Sequence, residues 1–306
     1  MGSVALVLNP AARAADAARR AVEEACREAG APPPLVLLTT PEEPGAAQAR
    51  EAVDAGCSRV VVAGGDGTVR EVAGVVGTRA TLGVVPIGTA DLAARNLGLP
   101  LRSPRAAARL AVSGRGREVD LGRVELRRAD GSVRTLSFLV VVGVGHDAEI
   151  LAGLSPTAKA RTGWWAYVTP GLRRLGSPGM PVRVRLDDTD ERAETAWSVL
   201  AVNGGRLPLG ARLVPGRGAL LDDGLLHLAV VSPRRVRDWT SIGATGLGLR
   251  RRAHPALSYR TGTSVVVELP TPGPVQVDGD VLPDMVRVWI ELLPAAVRVA
   301  TPGGSR

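Results

Sequence analysis

Short apolar runs recur through the first third of the chain, separated by longer alanine-rich stretches that carry charge. Val4 to Leu8, Leu35 to Leu38, Arg59 to Ala63 and Thr81 to Val85 lack polar alternation and read as strands buried on both faces of a parallel sheet. Ala14 to Ala29 and Gly45 to Ala55 read as helices, the first charged on one face and stopped by Gly30 and three prolines. A third helix follows the third strand, with Val69, Val72, Val75 and Val76 as its buried stripe and Thr68 with Glu71 at capping-box spacing. A fourth opens after Val85, where Thr89 is the expected N-cap and Asp91 falls in the first turn. Strands and helices in this strict alternation predict a doubly wound parallel sheet, whose ligands lie beyond the carboxyl ends of its strands. Asn9, the glycine turn after Ala63 and the residues after Val85 all fall at such ends.

The pattern changes near Glu118. Arg117 to Leu126 and Arg134 to Val142 flank an Ala-Asp-Gly turn and read as a hairpin. Val182 to Leu186, Ala196 to Val202, Leu225 to Val231, Thr263 to Leu269, Val275 to Val277 and Met285 to Leu292 are further strands. Two helical stretches interrupt them, Ala158 to Leu175 with Trp164, Trp165 and Tyr167, and Arg234 to Arg252. The expected architecture is α/β: a Rossmann-like N-terminal domain (residues 1–117), then a β-sandwich-like domain (residues 118–306) whose last residues are free to return to the first. The active site is expected in the cleft between them.

Composition narrows the function. With 306 residues, 45% of them apolar, and no apolar run long enough to span a bilayer, a globular cytoplasmic protein is expected. Cys26 and Cys57 provide no disulfide framework, and His146, His227 and His254 have no metal-ligand spacing. The net charge of +8 favours anionic partners such as an acidic membrane surface, whereas the sparse aromatics argue against a nucleic-acid stacking surface. Lys159, the only lysine, lies between two alanines, so no Walker A loop is present, and the protein-kinase motifs are absent too. Its retention in an arginine-rich chain suggests a point-charge contact or chance survival.

The chemistry concentrates in RVVVAGGDGTVREVAGVV, Arg59 to Val76. A strand, a glycine turn and a helix start converge backbone amides on an anion, and glycine allows phosphate close to the backbone. Asp66 within that turn suits a magnesium ion bridging to phosphates, or acceptance from a substrate hydroxyl. A tight connection with a solvated aspartate would have the same spacing.

This stretch resembles the signature of the diacylglycerol kinase and sphingosine kinase family of lipid kinases. NAD kinases and phosphofructokinases share a related turn, but the later segments separate them. PIGTADLAARNLGLP after Val85 resembles the family's second motif, with Asp91 where asparagine is usual. Asn9-Pro10-Ala11-Ala12 resembles the opening motif, with Arg13 in place of glycine. GVGHDAEI, KARTGWWAY, VNGGR, ALLDDGLLHLAVV and QVDGD follow in the family's order. The resemblance implies an ATP-dependent lipid kinase with magnesium as cofactor, acting at the cytoplasmic membrane face on a lipid hydroxyl, foremost diacylglycerol, otherwise ceramide, sphingosine or a related lipid.

It further implies that Gly64, Gly65, Asp66, Gly67 and Thr68 hold phosphates and magnesium, with Asn9, Gly88 and Thr89 completing the nucleotide wall. Asp278 and Gly279 would join the nucleotide site, Asp280 would be the general base, and Asp66 and Asp147 would be next in line. Asp222 and Asp223 resemble a structural-metal loop, although Gly218 stands where a polar residue is usual, and a plain turn fits equally well. Alternatives are a NAD kinase-like small-molecule kinase and a nucleotide- or lipid-binding pseudokinase; a homodimer also stays open. Trp164, Trp165, Tyr167 and the apolar 236–249 stretch would line an acyl groove, dip into a membrane, or form ordinary core.

Overall fold

The computed structural model describes residues 2–152, 174–214, 219–249 and 254–302. Its chain divides into two units, Met1–Leu121 with Pro294–Arg306, and Gly122–Leu293. The expected helix at Ala158 to Leu175, with its two tryptophans, Tyr167 and Lys159, lies almost wholly outside the described residues.

In the first unit, β1 (Val4–Leu8), β2 (Leu35–Leu38), β3 (Arg59–Gly64) and β4 (Thr81–Pro86) form a parallel sheet in the order β4-β3-β1-β2. The register sets Leu6 against both Val36 and Val61, and Val61 against Gly83. Helices α1 (Ala15–Glu28), α2 (Ala46–Asp54), α3 (Asp66–Val76), α4 (Leu92–Asn96) and α5 (Pro104–Ser113) complete the unit. Right-handed crossovers on either side of β1 send α1 to one face and α2 and α3 to the other. Accordingly α1 packs on α5, sharing a core with Leu6, Val61 and Val85, while α2 packs on α3. Strand order therefore reverses between β1 and β3, and their carboxyl ends flank a crevice of the kind that receives ligands in such sheets.

Alanines at the α1–α5 contact, including Ala18, Ala107, Ala108 and Ala111, are nearly solvent-free and let the helices approach closely. On that side, Gly83 lies so close to Ala111 that a Cβ on it would meet the α5 backbone at 2.8 Å.

The second unit is antiparallel. Its strands are the second half of β5 (Arg115–Arg128), then β6 (Val133–Phe138), β7 (Val141–Gly145), β8 (Met180–Leu186), β9 (Arg192–Ala196), β10 (Ser198–Val202), β11 (Leu226–Val231), β12 (Leu257–Gly262), β13 (Ser264–Val277) and the first part of β14 (Asp280–Thr301). One run is β12-β11-β10-β7-β13. The other end of β13 pairs with β8, which pairs with β9, while β14 pairs with β13 and β5, and β5 with β6. Two long strands thus serve both halves of a β-sandwich-like unit. Register shifts between Glu268 and Val275, where three prolines interrupt β13, mark the transfer between halves. The core is apolar throughout, with Phe138, Leu226, Leu228, Met285 and Ile290 among its most buried side chains.

Helices α6 (His146–Ala152) and α7 (Asp238–Gly246) belong to this unit. β14 then continues into the first unit, where Val299 pairs in parallel with Leu82.

Two local expectations change. Helix α3 starts at Asp66 with Gly65 as N-cap and no side-chain cap, so the Thr68–Glu71 capping box does not form. Thr68 is instead buried over Gly64, where an added Cβ would sit 2.7 Å from the Thr68 Cβ. Nor does Thr89 cap the next helix. Asp91 takes the N-cap position instead, at a left-handed φ of 47° and with no side-chain cap of its own.

Candidate active site

Three segments meet at the carboxyl edge of the first unit's sheet. Asn9 follows β1, its amide donating to the Ala63 carbonyl and its Oδ1 accepting from the Ala11 amide at 3.0 Å. The side chain thus shapes its own loop, and Arg13 beyond it is exposed. Gly64 and Gly65 follow β3, and Ile87, Gly88 and Thr89 follow β4, with the Ile87 amide donating to the Gly64 carbonyl.

Gly65 and Gly88 face each other backbone to backbone. A Cβ on Gly88 would lie 2.6 Å from the Gly65 Cα and 2.8 Å from an Asp91 oxygen, so a side chain has no room between the loops. Gly67 is half-buried in the first turn of α3, and Thr89 is exposed.

Two carboxylates tie these loops together. The Asp66 Oδ1 accepts from the Ala93 amide at 2.9 Å, so the first residue of α3 caps the start of α4. The Asp91 Oδ1 accepts from the Gly88 amide at 3.0 Å. Burial pushes the Asp91 carboxyl above its usual range, opposed by that amide and by Arg95. Aspartate and asparagine both tolerate the left-handed conformation, which accounts for aspartate serving where asparagine was expected.

The uncapped start of α3 and the glycine cradle fit a polyphosphate, and the Asp66 carboxylate is the hard oxygen donor that magnesium prefers.

In the second unit, Asp278 and Gly279 form the two-residue turn between β13 and β14, with φ of 48° and 93° and with Val277 opposite Asp280. Positive φ at both central residues is the type I′ hairpin signature that Asp-Gly favours. Asp280 stands exposed at the head of β14.

Asp278, expected at the nucleotide, is instead buried beneath its own turn. Its Oδ2 accepts from the Leu139 amide at 2.7 Å, and its Oδ1 from the amides of Val140 and Val141, each at 2.9 Å. Asn203 of the VNGGR segment holds the same stretch, donating from Nδ2 to the Leu139 carbonyl and from its amide to the Val140 carbonyl.

Asp147 in α6 completes this network. Its carboxylate accepts from the Ser198 hydroxyl and, at 3.4 Å, from Gln276 Nε2, while Gln276 Oε1 accepts from the Gly279 amide. Burial raises the Asp147 carboxyl to about 6, against the lowering effect of its hydrogen bonds. Gly143 leaves room beside it, since a Cβ there would meet Asp147 Oδ2 and displace the carboxylate. Asp147 was singled out from the sequence, Gln276 entered only as part of the QVDGD segment, and Ser198 was missed; the signal available was a polar residue next to a buried valine run in each strand.

The Asp222-Asp223 loop is a turn. Asp223 accepts from the amides of Leu220 and Leu225 and pairs with His227 Nε2 at 2.9 Å. Among the described residues no group of three or more histidines, cysteines or acids is arranged around a common cation position.

Comparison with known proteins decides the family. Residues 3–124 match the diacylglycerol kinase catalytic domain, and residues 140–301 match the YegS C-terminal NAD kinase beta sandwich-like domain. The chain belongs to the YegS-like lipid kinase family.

As a member of that family, it is 30% identical over 290 residues to a Pseudomonas aeruginosa protein named "Probable lipid kinase YegS-like", with 94% of this chain and 90% of that one covered. It is 33% identical over 236 residues to a protein of the same name from Chromohalobacter salexigens, covering 75% and 71%. A diacylglycerol kinase structure from Bacillus anthracis str. Sterne shares the fold, with a TM-score of 0.72, 21% identity and coverage of 99% and 97%. Yeast NADH kinase is a more distant fold neighbour, with a TM-score of 0.51 and 12% identity over 98% of this chain and 83% of that one. Membership of a kinase family implies use of ATP. No described helix of this lipid kinase family member is long and apolar enough to cross a membrane.

Proposed function

We propose that the chain transfers the γ-phosphate of ATP to the hydroxyl of diacylglycerol or a closely related lipid, with magnesium as cofactor, working from the cytoplasmic side of a membrane surface. The observation that carries this reading is the side-chain-free seam of Gly65 against Gly88 at the switch point of the parallel sheet. It sits beside the uncapped start of α3, where backbone amides can receive phosphate.

Magnesium would neutralise charge on the ATP phosphates, with Asp66 as its protein ligand. Gly64, Gly65 and Gly67 admit the phosphates to the backbone, Thr68 fixes the cradle from beneath, and Asn9, Gly88 and Thr89 bound it. Asp280 takes the acceptor hydroxyl's proton. Asp278 and Gly279 set the turn that presents Asp280, and the Asp147–Gln276 contact steadies that turn from below. The free, buried Cys26 and Cys57 suit a reducing compartment.

Purified protein incubated with γ-labelled ATP and magnesium, in parallel with a lipid panel and with NAD⁺, tests the reading. Label in a lipid phosphate supports it. Label in NADP⁺ alone would establish the rival small-molecule kinase, and no transfer to either would overturn the kinase assignment.

A further inference from the structure

The segment from Ser232 to Leu249 has two unlike sides. Inward, Trp239 packs edge-on against Trp197 at 4.6 Å and donates its indole N–H to the Leu175 carbonyl. Ile242 joins the same cluster with Tyr259 and Leu257, and Thr245 is buried. Outward, Thr240, Gly243 and Leu247 follow one another at helical spacing and are all exposed, with Val236 one turn earlier. Val236 is 64% exposed, Leu247 58% and Leu249 76%, the three largest exposures among the described large apolar side chains.

The charge around these apolar side chains is mainly positive. Arg234, Arg235 and Arg237 are exposed, and none forms an ion pair with a described carboxylate. The segment's only acid, Asp238, accepts from the amides of Arg234 and Arg235 through Oδ2 and also feels the charges of Arg237 and His254, so one carboxylate stands among three arginines. The three arginines, Asp238 and His254 line a cavity of about 390 Å³.

Exposed leucines and valine beside an excess of exposed arginines have the make-up of an interfacial surface, on which apolar tips would enter the headgroup layer and guanidinium groups would meet lipid phosphates. We propose that α7 and its flanking turns are the element by which this chain docks on an anionic phospholipid bilayer. The inference rests on the reading that the substrate is a membrane lipid, but its test needs no turnover.

Full-length protein without ATP is floated with vesicles of phosphatidylcholine alone and of phosphatidylcholine with phosphatidylglycerol. The wild type should partition onto the anionic vesicles and release them in high salt. Each arginine near an anionic surface contributes about fivefold to partitioning, so replacing Arg234, Arg235 and Arg237 by glutamine should lower it by about 10²-fold. Their replacement by lysine, which keeps the charge, should largely preserve binding. Leu247→Ser with Leu249→Ser should lower it by about tenfold through lost apolar contact. These side chains are exposed, so unchanged thermal melting is expected and controls for folding.

Equal flotation of wild type and the glutamine variant overturns the proposal, as does a wild type that ignores anionic vesicles. If the glutamine variant does not fold, the two-serine variant decides, and full vesicle binding by it is contrary. Sedimentation velocity showing a wild-type dimer that these changes dissociate, without altered flotation, would make the face a contact between copies and equally refute membrane docking. Loss of flotation with lipid phosphorylation retained in detergent micelles separates failed docking from failed chemistry.

Discussion

Asp278 offers the most direct structural test, because its carboxylate is committed to three amides of one strand entry. In Asp278→Asn the left-handed φ of 48° remains comfortable, so the change isolates the loss of charge and of one acceptor. The amide oxygen can still serve Val140 and Val141, but the Leu139 amide, now 2.7 Å from Oδ2, would face an NH₂ group. An unpaired buried donor costs about 1–3 kcal/mol, and the two surviving bonds weaken on losing the charge by about 1 kcal/mol together. A loss of about 2–4 kcal/mol follows.

Asp278→Ala removes all three bonds and also the short polar side chain that makes a positive φ tolerable, so it should be clearly worse than asparagine. All five tryptophans lie between residues 122 and 293, so fluorescence-detected urea unfolding reports on this unit. Hydrogen exchange of the amides of Leu139, Val140 and Val141 should accelerate in parallel. A loss below about 0.5 kcal/mol, within the range of ordinary surface substitutions, would refute the clamp.

For Asp66→Asn, turnover should fall steeply while melting stays near wild type, because the asparagine oxygen still accepts from Ala93; Asp66→Ala should also lose about 1 kcal/mol with the α4 cap. Full activity in Asp66→Asn would remove this residue from the phosphate site. For Asp147, the folded carboxyl is raised to about 6, so its contribution to stability is complete below the ordinary aspartate range and is lost as pH rises through 6. The unit should therefore weaken by up to about 3 kcal/mol across that window, and Asp147→Asn should abolish the dependence. Parallel stability–pH curves for the two proteins would contradict the burial argument.

The first unit was legible because its signals are local. Val4–Leu8 and Leu35–Leu38 form over the residues that their apolar runs mark; β1 is buried throughout as expected, whereas β2, the edge strand, leaves Leu35 and Leu38 exposed. The Asp278-Gly279 turn was legible for the same reason.

Long-range partners were not. Nothing near Asp278 shows that its oxygens will be taken by amides 137 to 139 residues earlier, so a nucleotide role looked equally natural. Helix starts misled where glycine replaced a hydroxyl cap: Gly65 begins α3 ahead of Thr68, and Asp91 displaces Thr89 because its left-handed backbone turns the chain. Helix α5 carried a readable Ser103 cap with Pro104 behind it but lay in an alanine-arginine stretch with little apolar contrast. β12 was missed because LSYRTG alternates only weakly, and β13 was split because its prolines looked like a break.

The central claim is tested most directly by the steady-state kinetics of Asp280→Asn with ATP and diacylglycerol. Asparagine keeps the shape and the hydrogen-bonding capacity but cannot take a proton. The account predicts a fall in kcat of about 10²–10⁴ with KM for ATP nearly unchanged, together with loss of the acidic limb of the pH profile. Full kcat, or a defect confined to KM, would contradict the assignment of Asp280 as the base.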